Sequence, residues 1–298
     1  MNALILLSNV FLLLLWMRLW RVGPHEFTFN PLLSGPSRLA DAVIDFLRPV
    51  LIGLPSAWIA GLSLLFLLAF RGVLLCSAGA DWQIVVGMGF GRVLGVGNWF
   101  DCTVFSITVF VVFLIRIWGL GFLIAVMTPA RRPDRVAEAF AHFTRPFSLL
   151  PRLHMGLALV ALNALLVIHL QHVGRPFTGS FPNGLAALPA ALDWQQPVAA
   201  VVRLSWLTAL SLTDSLHTAG GAMMGVVLAS LLATITQNHG LQQLTRESVA
   251  FLLGGFSRRP VVIGLIDLTP LAYFFAMNIL YGLATGLLRM LLAWSPAP

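Results

Sequence analysis

The chain contains no lysine, and its 298 residues include few charges of any kind. Charged residues make up 10% of it and hydrophobic residues 58%, where soluble domains carry about 25% charge. A surface that poor in charge excludes a soluble fold, so several segments must lie in lipid. Cysteine is also scarce: Cys76 and Cys102 are the two present, with no CxxC pair and no Cys/His ligand spacing. That excludes a disulfide framework and a structural zinc site. Of the two states open to these cysteines, two unpaired thiols are preferred over a bridge. All 18 basic residues are arginine, for a net charge of +7. They are spread along the whole chain rather than gathered into one basic domain, so nucleic acid is not an expected partner. Composition bias is the first reading of the all-arginine usage; guanidinium forks for lipid phosphates or partner carboxylates are the second.

Catalytic patterns are missing as well. The sequence has no Ser-His-Asp order, P-loop, dinucleotide fingerprint or paired-carboxylate helix motif, and an enzyme is not expected. The glycines between Gly87 and Gly91 precede no basic P-loop residue and read as a close-packing surface. Gly220, Gly221 and Gly225 suit tight helix contact in lipid.

What the sequence does have is long apolar runs. A helix crosses a bilayer in about 20 apolar residues, and six stretches qualify: 3–21, 51–71, 103–127, 153–171, 217–236 and 261–287. The first lacks a basic leader and a cleavage site, so it reads as a retained span rather than a signal peptide. Segments 82–98 and 195–213 are apolar but interrupted, each with an Arg and a Trp. They read as interfacial or re-entrant helices on the outer face, with 195–213 as a full span the alternative. Twelve arginines fall in the connections after spans one, three and five; five fall on the opposite side, and Arg116 lies within span three. The positive-inside rule then places both termini outside a bacterial inner membrane. The fold class is all-α: a multi-pass membrane protein of about six spans with interfacial amphipathic helices.

Internal similarity organises the chain. Arg38 to Pro49 matches Arg135 to Pro146 as R-x-A-[DE]-A-x-x-x-F-x-R-P, and Pro49 to Leu54 matches Pro260 to Leu265 at five of six residues. The Asp-Trp-Gln at Asp81 recurs at Asp193, and Asp101 answers Asp214. The repeat divides the chain into two-span units at 1–80, 81–180 and 181–298, all running the same way, unlike the inverted repeats of many transporters. In 135–147 the residues Val136, Ala139, Phe140, Phe143 and Phe147 recur at helical spacing opposite charged neighbours, which predicts a surface-lying helix stopped by Pro146. Arg48, Arg145, Arg258 and Arg259 fall where lipid phosphates or a partner would meet them.

The third loop reads Phe256 to Pro270 with Arg258-Arg259-Pro260, then Gly264, then Asp267-Leu268-Thr269-Pro270. This resembles the YggT (YlmG) family of small membrane proteins, whose pattern is an Arg-rich, Pro-containing turn, a Gly, Asp-Leu-Ser-Pro and an apolar helix. Spans ending near an Arg and a Trp, as at Arg18/Trp20 and Arg116/Trp118, fit it too. Typical members look like two units rather than three, and the Asp-Leu-Thr-Pro element stands in the third copy alone. The resemblance implies no catalytic chemistry and a role in assembling membrane complexes, with other integral membrane proteins and membrane lipids as partners.

Six candidate positions remain. Asp267 and Thr269 are expected to cap the helix restarting at Pro270; an ion or proton site at Asp267 is the alternative. Arg116 is expected to pair with an acid in another span. His169 and His172, one turn apart, and His217, placed at the outer start of span five, are candidate ligands for haem, a chlorin or a metal, against the commoner role of interfacial hydrogen bonding. The leading function is a scaffold, assembly factor or accessory subunit of an energy-transducing complex. A small transporter or channel using Asp267 and Arg116 is the alternative.

Overall fold

The computed structural model describes residues 2–20, 30–77, 82–86, 90–94, 98–128, 135–172, 175–176, 192–255, 261–263 and 266–294. Helices dominate: α1 (Asn2–Leu19), α2 (Pro31–Leu47), α3 (Ser56–Ser77), α4 (Trp99–Met127), α5 (Arg135–Phe143), α6 (Arg152–His172), α7 (Pro197–Leu212), α8 (Asp214–Ile235), α9 (His239–Leu253) and α10 (Thr269–Trp294). Five helical runs are long and apolar enough to cross a membrane: Ser56–Leu74, Trp99–Met127, Arg152–His172, Pro197–Ile235 and Thr269–Trp294. The chain is therefore an all-α polytopic membrane protein. The apolar part of α1, Ile5–Leu19, is shorter than these.

Contacts divide the chain into two compact units, residues 1–80, 96–114 and 132–150 in one and 81–95, 115–131 and 151–298 in the other. They do not follow the sequence boundaries at 80 and 180. The reason is α4, whose first half belongs to the first unit and whose second half belongs to the second.

In the first unit α1 and α3 are antiparallel neighbours: Ser8 and Asn9 meet Arg71, while Leu19 lies against Gly61. The start of α4 runs back along α3, with Ser106 beside Leu68 and Cys102 beside Gly72. Two short helices close one end. The apolar face of α2 buries Leu33 with Met17 and Ala139, and Ile44 with Ile59 and Ala60. Asn30 sets the start of α2, where Pro31 supplies a first-turn φ. Its Oδ1 accepts from Leu32 N–H at 3.0 Å, and its Nδ2 donates to the Arg135 carbonyl at 2.9 Å and to Glu138 at 3.0 Å. One side chain thus caps α2 and fastens it to α5. The helix expected over 135–147 forms as α5, a turn at Thr144–Pro146 and a single 3-10 turn at Phe147–Leu149.

The second unit pairs α8 with α10 in antiparallel fashion, since Asp214 meets Tyr281 and Gly220 meets Asn278. The second half of α4 lies antiparallel to α6: Phe122 covers Gly156, and Arg152 donates to the Thr128 carbonyl at 3.3 Å. Buried Val167, Leu170, Leu207, Leu210, Ala219, Met223 and Met277 make its core.

Several boundaries correct the sequence reading. Segment 82–98 is not a helix. It holds an antiparallel hairpin, β1 (Trp82–Val86) and β2 (Phe90–Leu94), which adds β3 (Arg175–Pro176) at its edge. The β-branched run Ile84-Val85-Val86 in β1 is the physical cause. Segment 195–213 is helical as α7, yet it does not lie apart from the span that follows. Thr213 keeps helical dihedrals (φ −61°, ψ −23°) between α7 and α8, and the two form one run of 39 residues. The second and sixth expected spans begin late. Residues 51–55 form a turn in which Gly53 takes φ +86°, and 261–268 carry a second small hairpin, β4 (Val262–Ile263) with β5 (Ile266–Asp267).

Candidate functional site: buried arginine clusters

Charge inside an apolar helix marks the places where this chain departs from simple lipid solubility. In the first unit that charge is Arg71, the sixteenth of the 22 residues of α3 and 8% exposed. Its Nε donates to Ser106 Oγ at 3.0 Å and its Nη2 to the Ser106 carbonyl at 2.7 Å. Nη1 donates to Ser8 Oγ at 2.9 Å and to Asn9 Oδ1 at 2.6 Å. Three helices, α1, α3 and α4, are thereby held by one guanidinium. Among the described residues it has no carboxylate partner; every acceptor is neutral. Gly72, the next residue, makes the approach possible. A Cβ there would stand 2.7 Å from the Cys102 carbonyl and 2.8 Å from Thr103 Cα.

In the second unit such charges include Arg203 of α7, 6% exposed, and Arg116, eighteenth of the 29 residues of α4. As expected, it pairs with an acid in another helix. Nη2 lies 2.9 Å from Asp214 Oδ2, with side-chain exposures of 38% for Arg116 and 8% for Asp214. Tyr281, near the middle of α10, donates its hydroxyl to the other carboxylate oxygen, Oδ1, at 3.3 Å. His217 stacks on the Tyr281 ring at 5.0 Å between centroids. The α4 backbone comes close because residue 119 is glycine: a Cβ there would collide with Ser215 Oγ. A second polar contact joins α6 to α7, from Ser211 Oγ to Asn163 Oδ1 at 2.5 Å.

Asp214 is the candidate residue that the sequence did not single out. It was visible as an acid inside a 39-residue apolar run, but dividing that run at 213 left it looking like a residue at the membrane surface. His217 is the fourth residue of α8 and lies inside the α7–α8 run of 39 residues. His169 and His172 occupy the last turn of α6, and His217 is not gathered with them. Among the described residues no group of three or more His, Cys, Asp or Glu is placed to hold a metal ion.

The remaining candidates separate. Arg48 pairs with Asp45 at 3.1 Å on an exposed helix edge. Arg145 donates to the Trp20 carbonyl at 3.2 Å, while its own carbonyl accepts from Trp16 Nε1 at 2.9 Å. That makes Arg145 a clasp between α1 and the turn after α5. Arg258 and Arg259 lie outside the described residues. Asp267 stands in β5, its backbone opposite Val262, and its side chain lies outside the described residues. Thr269 Oγ1 accepts from Val261 N–H at 2.8 Å, so it closes the hairpin that leads into α10, whose second residue is Pro270. Cys76 and Cys102, expected as thiols, are bonded to each other. The antiparallel start of α4 along α3 brings them together, which a count of cysteines does not reveal.

No known family model, curated protein or solved structure matches this chain.

Proposed function

We propose that this chain is a non-enzymatic membrane scaffold, acting as an assembly factor or accessory subunit of a larger energy-transducing membrane complex in the manner of the YggT family it resembles. One observation carries the reading. Several of the charged and polar groups inside the long helices tie helices together: Arg71 across α1, α3 and α4, Arg116 and Tyr281 on Asp214, and Ser211 on Asn163. What faces outward is bulky and apolar, as with Phe66, Leu165, Leu228, Leu283 and Met290. A stiff frame with an apolar exterior suits lateral contact with other membrane proteins and with lipids.

The proposed arrangement has six passes with both termini outside a bacterial inner membrane, α1 being the sixth. A long apolar helix, a short amphipathic one and a second long apolar helix follow one another three times in chain order, which supports three tandem units. The arginine asymmetry supports the orientation. Exposed tryptophans near helix ends, Trp20, Trp58, Trp99, Trp194 and Trp294, suit aromatic belts at the two membrane interfaces.

The test is gentle solubilisation of the native membrane, capture of the tagged chain, identification of the proteins that accompany it, and an absorption spectrum. A fixed stoichiometric set of partners supports the scaffold, and a haem or chlorin band in the same fraction would assign a pigment. A lone, colourless protein sinks it. The second reading, a transporter or channel, is favoured by the intramembrane ion pair, with Asp214 rather than Asp267 beside Arg116. It requires flux in liposomes that Asp214→Asn abolishes.

A further inference from the structure

Cys76 is the penultimate residue of α3 and Cys102 the fourth of α4, and their Cα atoms are 6.0 Å apart, inside the 4.4–6.8 Å range that a disulfide spans. The two helices are held at this end by contacts that do not depend on the bond. Ser106 accepts from Arg71 and donates its own hydroxyl to the Leu68 carbonyl at 2.8 Å. Gly72 lets the backbone at Cys102 and Thr103 approach. Packing alone therefore presents the two sulfurs to each other. Cys102 is 1% exposed and Cys76 is half-buried. The segment between them carries the β1–β2 hairpin.

We infer that Cys76 and Cys102 form a dithiol modification site on the arginine-poor face, oxidised there by a disulfide-bearing donor of that compartment. The inference rests on the orientation proposed above, because disulfides persist in oxidising compartments and not in the cytosol. Cys76, the more accessible sulfur, attacks the donor's disulfide as thiolate; a mixed disulfide forms and one donor thiolate leaves. The Cys102 thiolate then attacks the Cys76 sulfur and expels the second donor thiolate. Two protons and two electrons leave this chain in total, and the donor ends as a dithiol. Since Arg71 and Gly72 already set the helix pair, the bond's task is to close residues 77–101 into a covalent loop between the end of α3 and the start of α4.

The experiment uses the full chain in native membranes. Cells are acid-quenched, denatured and alkylated, and free thiols are counted by adduct mass before and after reduction. None before and both after is expected; both thiols alkylated without reductant overturns the disulfide. In cells lacking the compartment's dithiol oxidase the reduced form should become the main species, and a fully oxidised chain there overturns the enzymatic donor. Sidedness is read separately on Cys102→Ser, whose Cys76 should react with a membrane-impermeant maleimide in intact cells. Labelling of Cys76 only after the membrane is broken overturns the orientation while leaving the thiol count standing.

Discussion

Arg71 and Arg116 each sit inside an apolar helix, and the two units treat the charge in different ways. Arg116 faces a carboxylate that also accepts from Tyr281. Arg71 is more deeply buried and donates to serine, asparagine and carbonyl oxygen, with no acid among the described residues. The difference lies in what each arrangement leaves behind when broken. Asp214 and a guanidinium depend on each other, so removing one leaves the other as charge in a low-dielectric setting. The hydroxyls around Arg71 have other partners: Ser8 donates to the Ile5 carbonyl and Ser106 to that of Leu68. Losing Arg71 deprives chiefly Asn9 of a partner, and it also removes a charge that was costly to bury.

Asp214→Ala should therefore have the largest effect. A broken buried ion pair costs about 3–5 kcal/mol, and the 38% exposure of Arg116 lowers the expectation to roughly 2–3 kcal/mol. Unfolding of the purified protein by denaturing detergent measures it, and Asp214→Asn should fall between the variant and the parent. Gly72→Ala comes next, at about 1–3 kcal/mol, because the methyl meets α4 backbone that cannot turn aside. Its control is Gly286→Ala, where nothing lies within 4 Å of the added carbon. That change should be neutral or stabilising by up to about 1 kcal/mol through helix propensity. If the two glycine variants behave alike, the close approach of α3 and α4 is wrong.

Arg71→Met sharpens the contrast. Its stability should stay within about 1 kcal/mol of the parent, since lost hydrogen bonds and a relieved charge oppose each other. A loss as large as that of Asp214→Ala would mean that Arg71 serves an anionic partner. The smallest effect belongs to Tyr281→Phe, about 0.6 kcal/mol for one interhelical hydrogen bond in a membrane protein.

These residues also mark what could be read from the sequence. The amphipathic helix α5 was legible because its apolar positions repeat at three and four residues and a proline stops it. Helix α2 was legible for the same reason over 38–48, although it starts at Pro31. Arg116 was identifiable as a buried cation in need of an acid. The identity of that acid was not, since Asp214 is 98 positions away and only the packing of α4 against the α7–α8 run selects it. The 82–98 segment misled because a short apolar run fits a strand or a helix equally by hydropathy. The glycines and the Ile-Val-Val run pointed to a hairpin. Asn30, which caps α2 and clasps α5, gave no signal beyond a polar residue before a proline.

We propose that the intramembrane polar groups fasten helices rather than move a solute. A double-mutant cycle on Arg116→Met and Asp214→Leu tests it most directly, with unfolding stability and partner capture measured on all four proteins. Two groups acting as a fastener should show a coupling of about 1 kcal/mol or more, with the double variant more stable than Asp214→Leu alone and its partner set intact. Additive effects within about 0.3–0.5 kcal/mol, or a stable double variant that has lost its partners, would contradict the account.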